Sequence, residues 1–133
     1  MSFLDTGILV GAVLKSHPQH ATCLAALGDS TRPFTNAHAL AETFATLTGF
    51  YQVPNAVATE LALSLQASLL VEPLTLADYE TALREARSRG VMGGGIYDSL
   101  HATFARRKKA VQIVTRNPAH FQHVAPDIEI LTP

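Results

Sequence analysis

Asp5, Glu42, Asp98 and Asn117 are hard oxygen donors lying in four separate segments of a 133-residue chain. Carboxylates of this kind can hold a divalent cation, and the neutral amide of Asn117 is acceptable to Mg2+ or Mn2+ directly or through water. Each residue also has an ordinary structural role. Asp5 stands where "MSFLDTGILV" passes from strand to helix, a common N-cap position. Glu42 has Ala39, Leu40, Ala41, Phe44, Ala45 and Leu47 for neighbours, so few positions on its helix could face water. It belongs either to a solvated stripe with His38 and Thr46 or to a paired or metal-bound acid. Asp98 falls in the first turn of a helix, where the dipole favours a carboxylate. Asn117 precedes Pro118 and suits the cap of a short helical turn. The sharper reading makes Asp5 and Asp98 metal ligands.

The order of the elements would bring these residues together. Ser2 to Asp5 reads as a short strand, residues 6–15 as a helix, and a second helix runs from Pro18 to about Leu27. "RPFTN" is a strand ending in Asn36, a good N-cap for the helix "AHALAETFATLTG". Pro54 opens another helix to about Gln66, and "SLLVEPL" reads as a buried strand. Thr75 and Asp78 have the spacing of a capping box, followed by a 3.6-period apolar stripe of Leu76, Tyr79, Leu83 and Ala86. After the loop "VMGGG", Ile96 to about Arg107 is a helix, and "AVQIVT" and "DIEIL" are strands. This alternation predicts one α/β domain over residues 1–133, with a mostly parallel sheet of four to five short strands. Sites in such sheets form beyond the carboxyl ends of the strands. Asp5, Asn36 and the run Thr115, Arg116, Asn117 follow three of those ends.

Composition supports a well-filled core. The hydrophobic fraction is 47% and the charged fraction 16%, against roughly 25% charged in average domains. A net charge of -1 gives no general attraction for nucleic acid, so any such binding needs a local basic patch. The single cysteine, Cys23, excludes an internal disulfide and fits a reducing cytoplasm. No apolar run approaches the roughly 20 residues of a membrane span. The N-terminus has no basic region before an apolar stretch, so no secretory signal is expected.

Other motifs are less specific. "HPQH" (His17, His20) and "HFQH" (His120, His123) lack cysteines at zinc-site spacing and read as surface or core histidines. Cys23 reads as packing. "MGGGIYDS" lacks the Lys-Ser/Thr of a phosphate-binding P-loop. The run Arg106 to Lys109 reads first as charge complementing a helix C-terminus, second as a phosphate-contacting patch joined by Arg84 and Arg87.

Taken in order, "FLDT", the Glu of "ALAET", "YDSLHATFA", "IVTRNPAHF" and a short final strand resemble the PIN domain family, and within it the VapC-type toxins of toxin–antitoxin pairs. The resemblance covers nearly the whole chain. It implies a three-layer α/β/α fold and a ribonuclease dependent on Mg2+ or Mn2+. Asp5, Glu42 and Asp98 match the family's three acids, and Asn117 falls at the fourth position, where many members have Asp. That change removes one negative charge and weakens the case for a second, tightly held ion. Asp5 and Asp98 are then the most direct ligands, Glu42 acts through water or orients the nucleophile, and Thr6 and Thr115 support them by hydrogen bonds. Crowded carboxylates should raise at least one pKa. The resemblance further implies an RNA substrate, a cognate antitoxin and a homodimer. Two rivals are an RNA-processing nuclease without an antitoxin and a non-catalytic RNA- or protein-binding module. A phosphatase of the haloacid dehalogenase kind needs a second acid two residues after the first, where this chain has Gly7.

Overall fold

The computed structural model describes all residues from Met1 to Pro133. The elements follow in the order β1 (Ser2–Leu4), α1 (Thr6–Val13), α2 (His20–Asp29), β2 (Pro33–Asn36), α3 (Ala37–Gly49) and α4 (Asn55–Ser64). A 3₁₀ turn (Leu65–Ala67) leads to β3 (Leu70–Glu72), then α5 (Leu76–Glu85), α6 (Gly95–Arg107), β4 (Gln112–Val114), α7 (Pro118–Phe121) and β5 (Glu129–Leu131). The sheet has the order β3-β2-β1-β4-β5, and every pairing is parallel. Parallel neighbours require crossovers, which the helices supply. The chain winds outward from β1 in one direction, then resumes on the other side of β1 with β4. The carboxyl ends of β1 and β4 therefore flank a topological switch point, the crevice where α/β sheets bind ligands.

Side chains alternate across the sheet and make two cores. Leu4 and Val114 face one cluster, with Ile8, Leu9, Cys23, Leu27 and Leu65. Phe3 and Ile113, one residue earlier on the same strands, face the other, with Phe34, Phe104 and Phe121. A two-residue side-chain period in a buried parallel strand demands this arrangement. It gives three layers. No helix is long and apolar enough to cross a membrane.

Some local expectations change. Helix α2 starts at His20, leaving Pro18 in the preceding turn. Strand β3 is an edge strand with Leu70 exposed, not a buried one. In α5 the capping box forms as expected, but the apolar stripe points outward: Leu76 is 73% exposed, and Leu83 is exposed too. The helix instead buries Asp78 and Ala82, and Asp78 bonds the guanidinium of Arg107. Three residues of the basic run form ion pairs within the chain. Arg106 pairs with Asp127, Arg107 with Asp78 and Lys108 with Glu72, while Arg84 pairs with Glu80. Arg106 and Arg107 lie in the last turn of α6, as charge complementing a helix C-terminus requires, and these pairings occupy three of the four cations of the run that a phosphate patch would use.

One close approach sets the position of α1. A Cβ on Gly11 would lie 2.4 Å from Cys23 Sγ, so the glycine lets α1 and α2 touch. Gly11→Ala should cost about 1–3 kcal/mol through overpacking, read as a lower Tm. Adding Cys23→Ala should recover part of the loss by removing the sulfur. A Gly11→Ala variant as stable as the parent would contradict this packing.

Candidate active site

Strand and helix ends at the switch point bring Asp5, Glu42, Asp98 and Asn117 to the wall of one open hollow of about 340 Å³, which Thr6, His17, Arg116 and His120 also line. Asp5 follows β1 and caps α1: Oδ1 accepts from its neighbour's amide, Thr6 N, at 2.8 Å. Its Oδ2 accepts from Thr115 Oγ1 at 2.7 Å, just beyond β4. The cap and the site position thus coexist in one residue. The Thr115 hydroxyl also accepts from the Asn117 amide at 3.0 Å, which shapes the turn carrying Arg116 and Asn117. Asn117 occupies the cap position of α7 without a side-chain capping bond, so its amide group is left at the hollow.

Glu42, on α3, is held by two other helices, α1 and α6. Thr6 Oγ1 donates to its Oε1 at 3.2 Å, and His101 Nε2 donates to the same oxygen at 2.5 Å. His101 is buried on α6, three residues past Asp98. On its other side, Asn36 Nδ2 donates to His101 Nδ1 at 2.9 Å. The amide is fixed in that orientation because Asn36 Oδ1 accepts from Ala39 N while capping α3. Nδ1 is therefore an acceptor and Nε2 carries the proton. Burial pulls the His101 pKa down, but the bond to Glu42 and the charges of Glu42, Asp5 and Asp98 prevail and raise it. Burial in turn pushes Glu42 up, and the same bond to His101, helped by His38 and Thr6, brings it below its ordinary value. Glu42 Oε1 is thus saturated, whereas Oε2 has no partner within the chain.

Asp98 has far less support. Its nearest partner is His120, with Nδ1 3.4 Å from Oδ2. Burial and the neighbouring Asp5 charge push its pKa up to about 6, against opposing pulls from His120 and His101. This is the raised carboxyl that crowding of the acids implies.

One cation faces the acids. Arg116 Nε donates to Gln19 Oε1 at 2.7 Å and Nη1 approaches His17 Nε2 at 3.1 Å; it has no carboxylate partner. His17 also faces the Gln19 amide at Nδ1, at 3.0 Å. A neutral ring accepts at only one nitrogen and a protonated ring at neither. Burial, Arg116 and His20 hold the His17 pKa below its ordinary value, and the neutral ring accepts from the Gln19 amide.

His17 is buried and His120 exposed, as a core and a surface histidine, and both also line the hollow. His101 was missed as a site residue. Its only signal was a polar side chain one turn after Asp98 on the same helix face. The His17–Arg116 contact spans 99 residues and has no local signal.

The PIN domain family model matches residues 2–126. No curated protein matches the chain in sequence. Among solved structures, VapC20 of Mycobacterium tuberculosis, described as a sarcin–ricin loop cleaving toxin, superposes with a TM-score of 0.71 at 17% identity, covering 85% of this chain and 87% of that one. VapBC2 of Rickettsia felis, bound to a DNA fragment from their promoter, gives 0.72 at 19% identity over 99% and 98%. FitAcB of Neisseria gonorrhoeae gives 0.65 at 16% identity over 98% and 96%. Identities this low establish likeness of fold, and the family match over nearly the whole length establishes more: the chain belongs to the PIN domain family.

Proposed function

We propose that this chain is a divalent-metal-dependent endoribonuclease, the toxin of a type II toxin–antitoxin pair, restrained by a cognate antitoxin and acting as a homodimer. The observation that carries the nuclease reading is the convergence of Asp5, Glu42 and Asp98 on one hollow that also holds the unpaired guanidinium of Arg116. The family is one of nucleases. The likeness to VapC20, VapBC2 and FitAcB supports the toxin reading.

The donor set fits a hard divalent cation. Its ligands are oxygens, and Asp98 is a half-buried carboxyl raised by the Asp5 charge, which a nearby cation would lower. As the side chains lie, no group of three His, Cys, Asp or Glu residues is arranged to hold an ion. Asp5 and Asp98 are the residues that would hold it, leaving Glu42, whose Oε1 is bound by His101, to act on the attacking water through Oε2. When bound, Mg2+ or Mn2+ supplies neutralisation of phosphate charge and a more acidic water.

The remaining roles belong to the chain itself. Arg116 has N–H groups left to donate to a phosphate oxygen, and a guanidinium suits that geometry. Gln19 holds it in place through Nε. Glu42 Oε2 is free to accept a proton from an attacking water, while His101 and Thr6 fix the carboxylate through Oε1. Thr115 and the Thr6 amide orient Asp5.

The test is direct. Purified protein should cleave RNA with Mg2+ or Mn2+, stop when EDTA is added and resume with excess Mg2+. Cleavage that survives EDTA would remove the metal from the reading. RNA binding without cleavage under any of these conditions would favour the non-catalytic module.

A further inference from the structure

A second hollow, of about 270 Å³, opens beside the acidic one and shares two of its residues. It is lined by His38, Ala41, Glu42, Ala45 and Tyr97. Glu42 and Tyr97 belong to both, so Tyr97 stands on the boundary between them. The Tyr97 ring is 48% exposed, immediately precedes Asp98, and stacks on His38 with centroids 5.4 Å apart and planes at 23°. Ala41 and Ala45 sit one helical turn apart on α3, adding only methyl groups to this shelf. An exposed tyrosine braced by a second ring, above a floor of small side chains, is a platform for a flat, aromatic ligand.

We infer that this shelf is a nucleobase subsite: the Tyr97–His38 stack receives an unpaired base of the RNA strand whose phosphate lies in the acidic hollow. The inference rests on the nuclease reading and adds to it the residues on which a base of the substrate strand is received. A base is tethered to its phosphate by one sugar, so a base subsite must lie directly beside the phosphate site, as this one does. Bases in a duplex are already stacked on their neighbours and cannot turn onto a protein ring without first unstacking. Stacking on an aromatic side chain has little base preference, since every base has a π-face. The shelf therefore selects strandedness more than sequence.

The test measures binding of a short, labelled single-stranded RNA, and of the same strand annealed to its complement, by fluorescence anisotropy. The protein is full-length Asp98→Asn, silenced for cleavage, with Tyr97 intact or changed to Phe or Ala, and Tm is measured for each. Tyr97→Ala should weaken single-strand binding about 5- to 100-fold, Tyr97→Phe should stay within about twofold of the parent because the ring is kept, and duplex binding should not respond. Equal single-strand binding by the Ala variant and its parent would overturn the subsite and leave the nuclease reading standing. Loss in the Phe variant as large as in the Ala variant would also overturn it, by replacing stacking with a bond to the hydroxyl. If the parent binds no RNA and the wild type cleaves none, the nuclease reading fails, and the subsite with it.

Discussion

Asp98→Asn should abolish RNA cleavage and leave a folded protein that is more stable than the wild type in the absence of metal. The activity loss is expected to be on the order of 10³-fold or more, since charge stabilisation at such a site is worth several kcal/mol and each 1.36 kcal/mol is tenfold. The stability gain follows from the carboxyl's surroundings. Burial and Asp5 raise its pKa to about 6, so ionised Asp98 opposes folding. A group with a raised folded-state pKa contributes stability below its unfolded value, here close to 4, and loses it as pH climbs to about 6. Metal-free wild type therefore carries the full penalty at pH 7. The carboxyl is partly reached by water, so the penalty is about 1 kcal/mol after screening, or a few degrees in Tm. Two measurements check this: cleavage with Mg2+, and Tm in EDTA at pH 4, 5, 6 and 7. The difference in Tm should be greatest at pH 7 and close as the pH falls. Wild-type cleavage by the variant would remove Asp98 from the site. A Tm difference independent of pH would mean that Asp98 is not held in the charged, uncompensated form.

Short-range signals mark the strand ends that carry Asp5 and Asn117, whereas Glu42 and Asp98 are assigned through the resemblance to the PIN domain family. A carboxylate that ends a strand, an Asn that caps a helix and a glycine loop before an Asp all declare themselves locally, and the carboxyl-end rule for parallel sheets then says where they meet. A mostly parallel sheet of four to five strands, observed as five parallel ones, and the capping box of α5 were legible from local patterns. What depended on partners distant in sequence was not. His101 lies within "SLHATFA", whose side chains are all buried, and its meaning comes from Glu42 and Asn36, 59 and 65 residues away. Arg116 is positioned by Gln19 from the α1–α2 turn. The stripe on α5 misled for a different reason. A 3.6-residue apolar period usually faces the core, but here the face that carries Asp78 and Ala82 is buried, with Asp78 paired to Arg107, and Leu76 and Leu83 lie at the surface.

That ion pair carries the second large expected effect. Asp78 is 2% exposed and accepts two bonds from Arg107, from Nε and from Nη2, both at 2.8 Å. The same carboxylate accepts from the Thr75 amide at 2.9 Å, closing the capping box. One residue thus starts α5 and fastens it to the end of α6, the helix that presents Asp98 and His101. Removing either partner has unequal consequences. Asp78→Ala loses the cap and leaves Arg107, which is 38% exposed and can be hydrated, so the expected cost is about 2–3 kcal/mol. Arg107→Ala leaves a buried carboxylate without its cation, at about 3 kcal/mol or more. In a domain of this size either change should lower Tm by about 10 °C. Acid should reproduce part of the effect. Burial alone would raise the Asp78 pKa, but the bonds from Arg107 and Thr75 outweigh it and hold the value below the ordinary range. Its contribution is therefore fully present above about pH 4 and fades as pH falls through the folded-state value, so the gap in Tm between wild type and Asp78→Ala should shrink only under strong acid. RNA binding separates this structural role from the phosphate patch that the basic run first suggested. At a temperature where both proteins are folded, Arg107→Ala should bind single-stranded RNA as the wild type does, because its guanidinium is occupied by Asp78. A large loss of RNA affinity with an unchanged Tm would reverse the assignment and return Arg107 to the substrate.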